Sequence, residues 1–364
     1  MAAVAPGACR LLAYASACWQ NPVVFWLGYQ VAMPPAPFLP GDAGIESTRT
    51  LIATQMGAVD ALMRQRLHSD VPLINQVSHY VIAGGGKRLR PVLALLSAQA
   101  LGYAGDRHID LAVIVELIHT ATLLHDDVVD SSLLRRGRET ANTVWGNEAS
   151  VLVGDFLYSR AFQMMVDIGN LKVLQILADA TNTIAEGEVM QLVNCHDPDT
   201  SEARYLDTIR FKTAKLFEAA TRLGAVIAGS DSAAEQALAS YGRHLGTAFQ
   251  LVDDALDYSA TAADIGKNIG DDLAEGKPTL PLLYAMWKGK PAEADLIRHA
   301  IEHGGLEHIE EISAAIESTG AITYTFALAE AEASKARLAL AGVPGSPYLD
   351  ALLALSRFAV ERKS

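Results

Sequence analysis

The chain has 364 residues, half of them hydrophobic, and a formal net charge of -13. Its length admits two domains or one large core. Its acidity argues against broad nucleic-acid binding, which needs a basic face, so an anionic ligand must be met by local Lys and Arg or through a metal. Three cysteines, Cys9, Cys18 and Cys195, show neither metal-ligand spacing nor a disulfide framework. A reducing cytosol is the simplest setting for them.

Residues 1–46 read as an extension. Before Asp42 there is one basic residue, Arg10, and no acid, and Pro34, Pro35, Pro37 and Pro40 break any helix. A membrane span needs about 20 predominantly apolar residues. Residues 11–33 come near, but Gln20, Asn21, Pro22 and Gln30 interrupt them. A secretory signal wants a more basic start and a mitochondrial presequence more arginine. The expectation is a disordered extension, or residues upstream of the true start, with a membrane-touching arm as the alternative.

Residues 47–364 read as one domain. Leu51, Met56, Val59, Leu62, Met63 and Leu67 recur at helical spacing and mark a first helix. Residues 73–83 form a second, ended by Gly84-Gly85-Gly86. Pro91 suits the first turn of the next helix, which continues to Leu101. Residues 106–130 predict a long helix, as do 149–168, 172–193, 202–227 and 233–258. Further helices follow from Thr279, Ala292, Leu306, Ile322 and Tyr348. No alternating strand run and no hairpin signature stands out. One all-α helical bundle with a polar mouth is the economical architecture.

One acidic pattern occurs twice, as Asp126-Asp127-Val128-Val129-Asp130 and Asp253-Asp254-Ala255-Leu256-Asp257. Each follows an apolar helical run. Residues i and i+4 share a helix face, about 5.4 Å apart, so Asp126 stands over Asp130 and Asp253 over Asp257. Crowded carboxylates repel, and burial makes ionisation costlier. Near a helix C-terminus they also oppose the macrodipole. Oxygen ligands with room for water suit Mg²⁺, which typically uses one or two carboxylates plus phosphate. Two facing clusters predict several Mg²⁺ ions gripping one diphosphate. A solvated helix end is the plainer reading of either copy alone.

Basic residues stand near both clusters. Gly84-Gly85-Gly86-Lys87-Arg88-Leu89-Arg90-Pro91 puts cations at a helix start, where free N–H groups favour phosphate. It lacks the spacing of a nucleotide P-loop. Arg135-Arg136-Gly137-Arg138 follows the first cluster, and a guanidinium fork matches phosphate. His119 lies seven residues before Asp126, about two turns, on the same face. Lys212 and Thr213 interrupt an apolar helical stretch. Gln250 stands three before Asp253. Lys267 and Lys277 sit in a glycine-rich loop. Taken singly, each of these weaker signals also reads as solvated charge or a satisfied core histidine.

Together the strings GGGKRLRP, LLHDDVVDSSLLRRG, SVLVGDFLY, AEGEVMQL, FKTAKLFEAA, GTAFQLVDDALDY and GKNIGDDLAEGKPTLP resemble the trans-polyprenyl diphosphate synthases, and most strongly the bacterial octaprenyl members. The resemblance covers about residues 47–363. It implies the isoprenoid-synthase bundle, all-α, with a central apolar tunnel. It implies that Asp126, Asp127, Asp130, Asp253, Asp254 and Asp257 bind Mg²⁺, three ions per site, on the allylic diphosphate. By the same resemblance Lys87, Arg90, His119 and Arg136 hold isopentenyl diphosphate. Arg135, Lys212, Thr213, Gln250, Lys267 and Lys277 help hold the allylic diphosphate, with Lys212 counted beside the aspartates in the catalytic set.

The implied reaction condenses farnesyl diphosphate with successive isopentenyl diphosphates. Ions and cations stabilise charge on the departing diphosphate, the double bond attacks the allylic cation, and released diphosphate takes the proton. An apolar tunnel must exclude water. Family logic makes Ala121, the fifth residue before Asp126, the chain-length position, with Leu117 one turn deeper. Short-chain enzymes place an aromatic there, so a long all-trans product of octaprenyl length, serving a respiratory quinone, is expected. The resemblance further implies a homodimer in the cytoplasm, with a peripheral place on the inner membrane face left open, and delivery of product to the membrane. The alternatives are a shorter geranylgeranyl-type synthase, a terpene cyclase, whose second metal motif usually differs, and a non-catalytic subunit, which typically loses acidic residues.

Overall fold

In the computed structural model, which describes residues 43–259 and 270–362, the apolar periodicities become helices wrapped around one of their number. That helix is α4 (Arg107–Val129), preceded by α1 (Ala43–Leu67), α2 (Pro72–Ala83) and α3 (Leu89–Ala100). Leu111, Ala112, Val113, Ile114, Val115, Leu117 and Ile118 are all fully buried. A helix apolar on every side must be covered on every side. α4 is long and apolar enough to cross a membrane, but 67% of its most apolar stretch is inside the fold, which makes it a core helix. The first helix starts at Ala43, so the boundary expected between 46 and 47 falls inside it. The extension before residue 43 lies outside the described residues.

After α4 come α5 (Ala141–Trp145), α6 (Asn147–Ile168) and α7 (Leu171–Asn194), then α8 (Glu202–Ile209), α9 (Lys215–Ile227) and α10 (Ser232–Ser259). α4 packs on α6, α3, α1 and α9, while α9 packs on α10, α3 and α7. The remaining helices are α11 (Asp271–Ala274), α12 (Leu280–Lys288), α13 (Pro291–His303), α14 (Ile309–Ser318), α15 (Ala321–Ala339) and α16 (Pro347–Glu361). α12 to α15 enclose a second apolar cluster that includes Leu283, Ile297, Ile301, Ile312 and Ile316 and reaches back to Leu251 and Val252 of α10. Caps set several starts: Asn170, Ser201 and Ser346 accept backbone N–H groups at the heads of α7, α8 and α16.

Two local features depart from the sequence reading. Residues 202–227 are not one helix, because a π-helical turn at Arg210–Ala214 separates α8 from α9. Such turns recur at functional sites, and this one carries Lys212 and Thr213. There is also a small hairpin, β1 (Leu134–Arg135) with β2 (Arg138–Glu139), antiparallel. Its central residues Arg136 and Gly137 have φ of 54° and 72°. A two-residue turn with both φ positive is the type I′ geometry that matches strand twist. An Arg-Gly pair is not the usual Asn-Gly or Asp-Gly signal, so the hairpin escaped the sequence pattern.

α9 and α10 cross closely at Gly242. A Cβ there would stand 2.2 Å from Thr221 Oγ1 and 2.5 Å from the Phe217 carbonyl oxygen. Thr221 is itself fixed, donating to the Leu238 carbonyl at 2.7 Å. Overpacking of this kind costs about 1–3 kcal/mol. Gly242→Ala should therefore lower the thermal denaturation midpoint, and a variant that melts with the parent would show that the crossing has slack.

Candidate active site

The two acidic motifs end α4 and α10, and the fold points both ends at one cavity of about 260 Å³. Asp126, Asp130 and Asp254 line it together with Lys212, Gln250 and Lys277. Arg135 and Thr213 also reach it. The remaining aspartates are held nearby. Asp127 is only 4% exposed and turns inward to Arg135, whose Nε and Nη2 donate to one carboxylate oxygen at 2.8 and 2.7 Å. Asp257 accepts from the backbone N–H of Asp272 at 3.3 Å. Asp253 receives Nη1 of Arg362 at 2.5 Å. Asp126 and Asp130 thus face the cavity from one helix end and Asp254 from the other. Lys267 lies outside the described residues.

Burial governs the electrostatics. Desolvation raises the Asp126 pKa, opposed first by Lys212, whose Nζ is 3.6 Å away. Glu188 of α7 shares that lysine at 2.5 Å, and burial lifts its carboxyl to about 7. For Lys212 burial acts downward, but Asp126 and Glu188 outweigh it and the net shift is upward. Lys277 pairs with Asp130 at 2.8 Å and with Glu275. Asp254, buried and close to Asp272, is pushed up to about 7. It accepts from Tyr205 Oη at 2.5 Å and from Gln250 Nε2 at 2.7 Å, while Gln250 Oε1 accepts from Thr213 at 3.0 Å. That chain fixes the rotamer of a carboxylate which a charge alone would leave free to turn. The donor atoms on the two walls are oxygens, the set that hard divalent cations take. The site fits Mg²⁺ by this chemistry.

The basic residues gather behind the acidic ones. Gly86 lies against the Arg136 guanidinium, where a Cβ would be 2.7 Å from Nη1. The Arg90 guanidinium stacks over Phe217 at 4.6 Å, and its buried Nε has no hydrogen-bond partner. Burial, then Arg362, lowers Lys87 to about 8. Burial, then Arg90, Arg136 and Arg135, keeps His119 well below the usual imidazole range and so neutral. Lys87, Arg90 and Arg136 therefore form, beside neutral His119, one desolvated, mutually repelling group that an anion would relieve. Ala121 and Leu117 are fully buried on α4.

Several residues that shape the site escaped sequence reasoning. Arg88 takes a left-handed conformation, φ 50°, and pairs with buried Glu116 of α4 at 3.1 Å. This pair ties the Lys87–Arg90 loop to the helix that bears His119 and Asp126. Arg362 is almost wholly buried, stacks 3.9 Å over Phe249 and also donates to the Phe249 carbonyl at 2.6 Å. Gly187 lets α7 touch the π turn, since a Cβ would be 2.4 Å from the Lys212 nitrogen. His196 holds the loop that delivers Lys277. Its N–H donates to the Gly276 carbonyl at 2.8 Å, its Nδ1 meets the Ile301 carbonyl at 3.0 Å, and its ring covers the face of Gly276. Tyr205 alone had a usable signal, lying one helical repeat, seven residues, before Lys212. The others act across long sequence separations.

The Asp254 carboxyl binds its proton more tightly in the folded chain than in the unfolded one. Its stabilisation is present at low pH and fades as pH rises from about 4 to about 7. Asp254→Asn imitates the protonated form. In metal-free buffer its melting midpoint should match the parent near pH 4 and exceed it increasingly towards pH 7, the gap then holding level. A constant gap across that range would contradict the buried, proton-hungry environment described above.

The Polyprenyl synthetase family model matches residues 71–319. The chain is 52% identical over 319 residues to octaprenyl diphosphate synthase of Escherichia coli (strain K12), covering 87% of this chain and 99% of that one. It is 46% identical to the all-trans-nonaprenyl-diphosphate synthase (geranyl-diphosphate specific) of Rhodobacter capsulatus, covering 85% and 96%. A polyprenyl synthase from Caulobacter crescentus CB15, crystallised with calcium and isoprenyl diphosphate, superposes with a TM-score of 0.85 at 46% identity, over 89% of this chain and all of that one. With a family model over residues 71–319, the same all-α fold and identity across nearly the whole of these relatives, the chain belongs to the polyprenyl synthetase family, the transferases that elongate prenyl diphosphates.

Proposed function

We propose that this chain makes a long all-trans polyprenyl diphosphate, of octaprenyl length, from farnesyl diphosphate and successive isopentenyl diphosphates. The observation that carries the reading is the facing of Asp126, Asp130 and Asp254 across one cavity also lined by Lys212 and Lys277. When bound, Mg²⁺ on the six aspartates, three ions per site, supplies positive charge to the departing allylic diphosphate. Lys212, Lys277, Arg135, Thr213 and Gln250 orient that diphosphate, and Lys267 joins them. Lys87, Arg90, His119 and Arg136 hold isopentenyl diphosphate, which satisfies the partnerless Arg90 Nε and damps the repulsion among them. The released diphosphate takes the proton, so no side-chain base is required.

Product length follows from Ala121. A small side chain, fully buried five residues before Asp126, leaves room for a growing chain towards Leu117. The 52% identity to an octaprenyl synthase supports that length over the geranylgeranyl-type alternative. Both acidic motifs are intact, which speaks against a non-catalytic subunit. The catalytic domain takes in the whole of α1 from Ala43 onward, with the residues before it an extension. Two copies form a homodimer: α6 and α7 expose Leu152, Val166, Leu171, Val189 and Val193, more apolar surface than a lone protomer hides well. The product is delivered to a membrane for a quinone side chain, from an enzyme in the cytoplasm.

Mass spectrometry of the products from farnesyl and isopentenyl diphosphates with Mg²⁺ tests the assignment. Octaprenyl diphosphate should dominate, and Ala121→Phe should shift the distribution to shorter chains with turnover retained. An unshifted distribution would remove Ala121 from the role. Chelation should abolish turnover and added Mg²⁺ should restore it; turnover in chelator would sink the reading.

A further inference from the structure

Far along the chain from the motifs above, α13 ends in His299-Ala300-Ile301-Glu302-His303. Positions i, i+3 and i+4 share a helix face. Ala300 and Ile301 are buried, while His299, Glu302 and His303 are exposed. One ligand atom from each of the three lies within 4.8 Å of the others, and the imidazole centroids are 4.1 Å apart. None of the three lines the cavity between the acidic walls.

Three features prepare this face for a cation. His303 Nδ1 stands 2.9 Å from the His299 carbonyl oxygen. A carbonyl only accepts, so Nδ1 carries the proton and Nε2 keeps a lone pair. Fixing one ring nitrogen in this way is the usual support for a metal-ligating histidine. Next, Arg298 stands 3.9 Å from Glu302 but 2.7 Å from Asp199. The arginine is committed elsewhere, and the Glu302 carboxylate is only loosely held. Finally, the three residues occupy the last turn and a half of α13, where the negative end of the helix dipole favours positive charge.

The donor set is two imidazoles and one carboxylate. That set suits Zn²⁺, which takes three protein ligands with a water in the fourth position. Mg²⁺ prefers oxygen and octahedral geometry and is poorly served. The order H-x-x-E-H also carries zinc in a class of metallopeptidases. Here the residues are open to solvent, so hydrolysis does not follow. We propose that His299, Glu302 and His303 form a surface site for Zn²⁺, separate from the ions of prenyl transfer. A bound ion would clamp one turn of the helix whose Ile301 carbonyl anchors His196.

The test is calorimetric titration of Zn²⁺ into tag-free protein held in excess Mg²⁺, comparing the parent with the double variant His299→Gln, His303→Gln. The exposed positions leave the fold and the Mg²⁺-dependent transfer unchanged, which circular dichroism and an activity assay confirm. The parent should bind one equivalent more than the variant, or that equivalent should weaken by at least about tenfold in the variant. Glu302→Gln should weaken it less. Equal Zn²⁺ stoichiometry and affinity in parent and double variant would overturn the site. That result would leave the prenyl-transfer reading untouched, because no residue is shared between them.

Discussion

Everything in this molecule answers to the cost of placing carboxylates on two facing helix ends out of water. Asp127 and Asp254 are each 4% exposed, and an ionised carboxylate at such a depth is sustained only by close partners. The chain supplies them from distant segments: Lys212 from the π turn, Lys277 from the loop before α12, Arg135 from the hairpin and Arg362 after the last helix. The pairing is incomplete by design of geometry. Lys212 divides itself between Asp126 and Glu188, and among the described residues the side-chain donors to Asp254 are the neutral Tyr205 and Gln250. The resulting surplus of negative charge is what further cations would meet.

The scaffold is arranged so that this frustrated charge sits where it is useful. α4 is buried through its middle and delivers the motif aspartates at its C-terminal end. α10 brings the second motif to the opposite wall. Close approaches hold the walls in place: Gly242 lets α10 lie on α9, and Gly187 lets α7 press on the turn that carries Lys212. The basic group behind them has its own anchor. Arg88 pairs with Glu116, which ties the segment carrying Lys87 and Arg90 to α4.

The helices, the two acidic motifs and the cationic strings were legible because each is local. Helical period and i, i+4 spacing put Asp126 over Asp130 with no knowledge of the rest of the chain. What could not be read was the pairing across distance. Lys277 and Asp130 are 147 residues apart and Arg362 and Asp253 are 109 apart, and nothing in either neighbourhood names the other. The π turn was hidden for a different reason. Residues 202–227 have good helical character throughout, and the extra residue per turn is imposed by packing against α7 and α10. The hairpin was hidden because Arg136 occupies a left-handed position that glycine or asparagine ordinarily takes.

That hairpin lies between the acidic wall and the basic group. Arg135 and Arg136 are neighbours in sequence, yet Arg135, in the strand, reaches Asp127 on the acidic wall, while Arg136, in the left-handed turn position, lies against Gly86 beside the basic group. Because turn type and loop length fix the register of a hairpin, inserting or losing a single residue here would redirect both side chains. One guanidinium or the other would then lose its present neighbour. A two-stranded ribbon of four paired residues thereby acts as the spacer between the acidic wall and the basic group.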